Sequence, residues 1–182
     1  MKHIKIVGAL LFVLALAGCG SMDVKDFKGT EPRFRIEEFF AGKTKAWGIF
    51  EDRFGNLRRE FTVDIDGSFD GDEFVLVEDF VYSDGETEQR IWRLRIVDDH
   101  RYEGTAPGVT GKATGAAYGK AFHWTYNFDL KLKDRTLNVH FDDWMYLQPD
   151  GVVVNKATVT KFGLTLGVAT IFFQKVAQEQ QE

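Results

Sequence analysis

Cysteine and proline are almost missing from this sequence: 182 residues hold one Cys and 3 Pro. A lone cysteine, Cys19, allows neither an internal disulfide nor a thiolate metal cage, so the fold must be held by a buried core. Long helical patterns are missing. The histidines beyond residue 18 are His100, His123 and His140, with no HxH or HExxH pairing among them. His140 and Asp142 share a strand face, but one pair is not a metal site, and no metal or cofactor is expected. Neither a GxSxG elbow nor a phosphate-cradling glycine loop occurs, and no catalytic residue is assigned. Basic residues number 23 against 28 acidic ones. That balance argues against a nucleic-acid partner, whose phosphates need a basic surface.

What is present starts with an address. Lys2 and Lys5 precede an apolar run from Ile6 to Ala17. That run is shorter than the about 20 residues a spanning helix needs, so it reads as a signal peptide. Leu16-Ala17-Gly18-Cys19 resembles the lipobox of bacterial lipoproteins. The resemblance implies cleavage after residue 18 and acylation of Cys19, which would anchor the chain in a lipid bilayer. Gly20 and Ser21 follow, with no Asp directly after the cysteine, so the periplasmic face of the outer membrane is the expected location. Loss of residues 1–18 removes Lys2 and Lys5 and takes the net charge from −5 to about −7. Four parts are expected: a leader over 1–18, a lipidated tether over 19–31, one domain over 32–176, and a disordered Gln/Glu-rich tail over 177–182.

Within the domain, Pro32 to Gly42 (PRFRIEEFFAG) reads as either a short helix or an irregular plug. Apolar residues then alternate with period two. Strands are expected at 44–52, 57–66, 73–82, 88–97, 100–105, 121–132, 135–147, 152–161 and 164–174, with a break at Gly67. Gln148-Pro149-Asp150-Gly151 is a strong turn. Nine or ten antiparallel strands joined by tight links form a meander, and closing it into a barrel removes its edges. An all-β, up-and-down barrel of the lipocalin or calycin kind is expected, with a two-sheet sandwich as the alternative.

Every odd position from 111 to 121 is Gly or Ala: Gly111, Ala113, Gly115, Ala117, Gly119 and Ala121. Such alternation suggests an extended strand with one bare face. That face would leave room either for a ligand or for rings such as Trp47, Trp92 or Trp124. Two carboxylates, Asp143 and Glu78, fall on apolar strand faces. A buried carboxylate needs a cation or hydrogen bonds. Arg90, Arg93, Lys156 and Lys161 are candidate cations, and Asn155 is a neutral partner. Tyr146 lies in the same phrase as Asp143, FDDWMY. The candidate ligand-binding set is therefore Glu78, Arg90, Trp92, Gly111, Ala113, Gly115, Ala117, Gly119, Trp124, Asp143, Tyr146, Asn155 and Lys156. Internal ion pairs that fix strand register, a polar head-group site and a catalytic carboxylate pair are the three readings of these polar groups.

The ordered pieces TKAWGIFEDRFGNLRREF, EDFVYSDGETEQRIWRL, the G-x-A-x-G ladder, FDDWMYLQPDG and VNKATVTKFG resemble a family of bacterial lipoproteins known as domain of unknown function 3833. The likeness runs from about Phe34 to Lys175. The family pattern often carries Arg where this chain has Lys156, which removes a guanidinium-specific role there. The resemblance implies a loose association with gene clusters for membrane fatty-acid modification. Three functions follow in order of preference: a binding module for a fatty acid or other apolar molecule, an assembly lipoprotein with protein partners, and an enzyme on modified lipids using Asp143 or Glu78.

Overall fold

The computed structural model describes residues 22–132 and 134–176. The leader, Cys19 and the tail over 177–182 lie outside the described residues. Ten strands follow one another in antiparallel order. They are β1 (Gly42–Asp52), β2 (Leu57–Asp70), β3 (Glu73–Tyr82), β4 (Thr87–Ile96) and β5 (Arg101–Thr105). The rest are β6 (Val109–Tyr118), β7 (Ala121–Lys131), β8 (Thr136–Leu147), β9 (Val152–Lys161) and β10 (Leu164–Lys175). Each strand pairs with its neighbours in sequence, and β1 pairs with β10, so the meander closes into a ten-stranded barrel. This is the expected architecture, and the sandwich is excluded by the β1–β10 pairing.

Alternation sets which side chains fill the barrel. Ala46, Val63, Phe74, Leu76, Trp92, Leu94, Tyr102, Trp124, Val153 and Phe173 point inward and are buried. The outer wall carries cross-strand ion pairs such as Lys43–Asp66, Lys45–Asp64 and Arg93–Glu73. Apolar inside and charged outside is the reverse of a membrane-spanning barrel. Exposed pairs of this kind each contribute about 0–1 kcal/mol, so they set register more than stability.

One end of the barrel is stoppered. The segment before β1 forms a single helical turn, α1 (Ile36–Phe39). Phe34, Ile36, Phe39 and Phe40 are all buried. Phe34 meets Phe39 and Phe122 edge to face, and Phe40 meets Phe173 in the same way. Each such side chain stabilises the fold by roughly 2 kcal/mol through burial. The Tyr102 hydroxyl donates to Glu37 at 2.9 Å, and Arg35 holds the other Glu37 oxygen at 2.7 Å. Both sequence readings of this segment, a short helix and a plug, are therefore correct.

The plug also explains why β2 does not break at Gly67. A Cβ there would sit 2.0 Å from the Phe40 carbonyl oxygen, so only glycine lets the plug seat against a continuous strand. Residues 22–31 differ from the expected tether. Asp23 caps a 3-10 turn over Val24–Phe27, Val24 is buried, and Phe27 packs on Trp144 and Tyr146 outside the barrel. The segment looked polar in sequence because only Val24 and Phe27 make its apolar contact.

The glycine–alanine ladder is not one continuous bare face. The β6–β7 register shifts between Thr110 and Thr114, and Gly111 is exposed at that irregularity with φ +74. Gly119 lies in the β6–β7 turn, beneath the Phe27 carbonyl and Thr30. Only Ala113, Gly115 and Ala117 face inward, and the space they leave is taken by rings. A Cβ on Gly115 would lie 2.2 Å from the Trp124 ring. Of the two sequence readings, the one in which a tryptophan fills the space holds.

Candidate functional site

The two halves of the barrel differ. Towards the plug most inward side chains are buried. Towards the other end Phe61, Phe80, Phe128 and Phe141 also point inward by register, yet they stay only half-buried. Ile96 and Leu147 are likewise only partly buried near the plug, and the four phenylalanines ring the barrel end remote from it. Trp92 forms a floor beneath these rings, in edge contact with Trp124 at 5.9 Å and Tyr126 at 5.2 Å.

A polar cluster sits on that floor. Glu78 of β3 is directly opposite Arg90 of β4 in the ladder. The Arg90 guanidinium lies 5.0 Å from the Phe80 ring centre and 5.1 Å from that of Phe128. Rings so placed favour a cation. Its Nη2 donates to Glu88 at 2.8 Å, and Glu88 also accepts from the Tyr82 hydroxyl at 2.9 Å. Its Nε is buried and has no partner. Across the barrel, buried Asp143 accepts from the Asn155 amide, which also donates to the Trp144 carbonyl. Tyr126 lies within electrostatic reach of Asp143, Arg90 and Glu78.

These surroundings move the protons. Burial pushes the Glu78 carboxyl up to about 7, against the pull of Arg90 and with help from Asp143 and Glu88. Burial likewise pushes Asp143 up to about 7, opposed by the Asn155 hydrogen bond and reinforced by Asp142. Burial raises the Tyr126 hydroxyl further still. Burial pulls the Arg90 guanidinium down, but Glu78 and Glu88 outweigh it, so Arg90 stays charged. Near neutrality the floor thus offers one fixed cation and two carboxyls able to donate a proton.

This arrangement has a consequence for stability. Unfolded, both carboxyls release their protons near pH 4. Folded, they hold them up to about 7. Their contribution is complete below the unfolded value, falls as pH rises, and is gone above the folded value. Melting followed by circular dichroism is expected to shift upward by a few degrees from about pH 8 to about pH 5.5. Glu78→Gln and Asp143→Asn should each flatten that slope. An unchanged slope in both variants would contradict the placement of these groups. Asp98 and Glu103 behave oppositely, each held down near 2 by hydrogen bonds, and their window lies below about pH 4.

The structure brings Glu78, Arg90, Trp92, Trp124, Asp143 and Asn155 into one interior. It does not bring in Tyr146 or Lys156. Both point outward by register, Tyr146 beneath Phe27 and Lys156 into solvent. Gly111 and Gly119 also lie away from the interior. The internal ion pair is Arg90–Glu88 rather than a cation on Asp143. Glu88, Tyr126, Phe80 and Phe128 were missed in sequence, although each alternates with a residue that was named. His140 bonds Asn127, and Asp142 faces His123. Among the described residues no cluster of His, Cys, Asp and Glu is placed to hold a metal.

Residues 13–175 match the family described as protein of unknown function DUF3833. The chain belongs to the DUF3833 family. No curated protein matches this DUF3833 chain. Among solved structures it is similar to the S-type phycobiliprotein lyase CPES from Guillardia theta, with a TM-score of 0.60 and 11% identity. The match covers 81% of this chain and 96% of the lyase. At that identity the likeness is one of fold: the DUF3833 barrel is lipocalin-like.

Proposed function

We propose that this protein is a binding module that holds a lipid or another apolar small molecule in the end of its barrel remote from the plug. The observation that carries this reading is the buried Arg90 Nε, which has no partner and lies beneath four inward, half-buried phenylalanines. Apolar pockets with a few placed polar groups are the usual form of a small-molecule site. An apolar body would lie against Phe61, Phe80, Phe128 and Phe141. A carboxylate or phosphate head would reach Arg90, with Glu78 and Asp143 able to donate protons to it. The fold shared with the phycobiliprotein lyase is compatible with a small-molecule site. The same proposal places the protein on the periplasmic face of an outer membrane, anchored through acylated Cys19, because Leu16-Ala17-Gly18-Cys19 has the form of a lipobox.

One experiment reads both parts. The full chain, made with its own leader in a Gram-negative host, is recovered from membranes and weighed by native mass spectrometry. The covalent mass is expected to begin at a triacylated Cys19, and a lipid is expected to travel with the chain at near one-to-one ratio. Ala169 faces inward beside Phe50 and Ala157. Ala169→Phe should fill the end of the barrel remote from the plug and remove the non-covalent lipid while leaving the covalent mass unchanged. A bare chain that takes up no fluorescent fatty acid would end the binding reading. A mature mass beginning elsewhere would end the anchoring reading.

A further inference from the structure

One stripe of the outer wall departs from the charged pattern of the rest. Trp47 of β1 lies directly opposite Phe172 of β10, and both are nearly half exposed. Ile49 continues the outward face of β1, and Leu164 opens β10 at 65% exposure. The turns beyond these strands carry Phe54 and Phe162, 73% and 91% exposed. The Arg53 backbone N–H donates to the Leu166 carbonyl at 3.0 Å and ties the β1–β2 turn to the start of β10. A groove of ≈ 540 Å³, lined in part by Trp47, Ile49, Val81 and Phe172 with Glu60 at its edge, lies on the same face.

Phe162 has no structural reason to be a phenylalanine. It forms the β9–β10 turn with Gly163, and both residues have positive φ, +51 and +77. Such two-residue turns favour Asn, Asp or Gly at the first position, and a bulky residue there is strained. Its ring is in solvent, so packing does not offset that strain. Cations accompany the exposed rings. The Arg53 guanidinium sits 4.7 Å from the Phe54 ring centre, and the Lys161 ammonium 4.6 Å from that of Phe162. At the other end of β1, Lys43 and Lys45 are paired with Asp66 and Asp64, so the cations that stand beside exposed rings are those at the Phe54 and Phe162 turns.

We propose that the outer face of β1 and β10, with the turns at Phe54 and Phe162, rests on a phospholipid bilayer. Exposed rings with Arg53 and Lys161 beside them match a membrane surface, where rings enter the acyl boundary and Arg or Lys reaches the phosphates. The barrel then lies side-on, with the end remote from the plug touching the lipid.

The test uses the chain from Met22 onward, which holds the closed barrel, its plug and the 3-10 turn but no acylated cysteine. It is floated with vesicles of phosphatidylethanolamine and phosphatidylglycerol. The unaltered chain is expected to rise with the vesicles. The double variant Phe54→Asn, Phe162→Asn should need about tenfold more lipid for the same binding. Its melting temperature should stay level or rise, because Asn accepts a positive φ at 162. A chain that stays at the bottom at every lipid concentration overturns the proposal, as does equal flotation of the double variant. Self-association that the double variant abolishes, without flotation of the unaltered chain, would make the stripe a protein interface and would also overturn it.

Discussion

Arg90→Met is expected to cost about 3–5 kcal/mol of stability at pH 8, the range for removing one partner of a buried charged pair. The guanidinium is held by Glu88 at 2.8 Å, flanked by Phe80 and Phe128, and faced by Glu78. Its loss removes the one influence that lowers the Glu78 pKa, so that carboxyl rises further from about 7. The cost should therefore shrink at lower pH, where Glu78 is protonated in any case. Denaturant melts at about pH 8 and about pH 6 read this directly. In a double-mutant cycle with Glu78→Gln, a coupling of about 1–3 kcal/mol is expected at the higher pH. Full additivity at both pH values would mean that the two groups do not interact. In the proposed ligand complex the same variant should lose acidic apolar ligands while Ala169→Phe loses all of them, which separates head recognition from room for the apolar body.

Phe34→Ala should be as damaging for a different reason. Phe34 is 1% exposed and touches Phe39 and Phe122 edge to face. Truncating such a ring costs about 3–5 kcal/mol through lost burial and the cavity left behind. The Phe34 N–H also bonds the Gly119 carbonyl, and that backbone bond should weaken with the ring gone. Hydrogen exchange at residues 34–40 is expected to speed up more than exchange in β7 and β8. Loss of protection spread evenly over the barrel would instead mean that plug and wall unfold together.

The barrel was legible because period-two alternation and turn residues both speak locally. Phe122, Trp124, Tyr126 and Phe128 on one face, with Lys120 and Leu132 near the ends, announce β7 without any tertiary information. Closure was inferred from the cost of open edges. The plug was ambiguous in sequence because four helical residues are too few to show a period. The break expected at Gly67 was a misreading of why glycine is there: the residue makes space for Phe40 and does not end the strand. The site was half legible. Glu78 and Asp143 stood out as charges on apolar faces, with Arg90 among the candidate cations. Tyr146 was attached to Asp143 by the shared phrase FDDWMY and Lys156 by its charge, but parity along β8 and β9 sends both to the outer side of the sheet. Glu88 escaped notice because it sits at the start of β4, where a charge looks like a turn residue.

The pairing of β1 with β10 has a consequence for how the chain is made. Thr44 finds its partner only at Lys175, and Asp52 only at Gly167. While the chain emerges N-terminus first, β1 has a neighbour on one side alone, and its other edge stays unpaired until Leu164–Lys175 arrives. Trp47 and Ile49 sit on that waiting strand. Such an edge is open to any extended segment nearby, and contacts so far apart in sequence form slowly. A nascent chain of this kind is thus a natural client for a holding chaperone, and a premature stop before Leu164 would leave two sticky edges where the finished molecule has none.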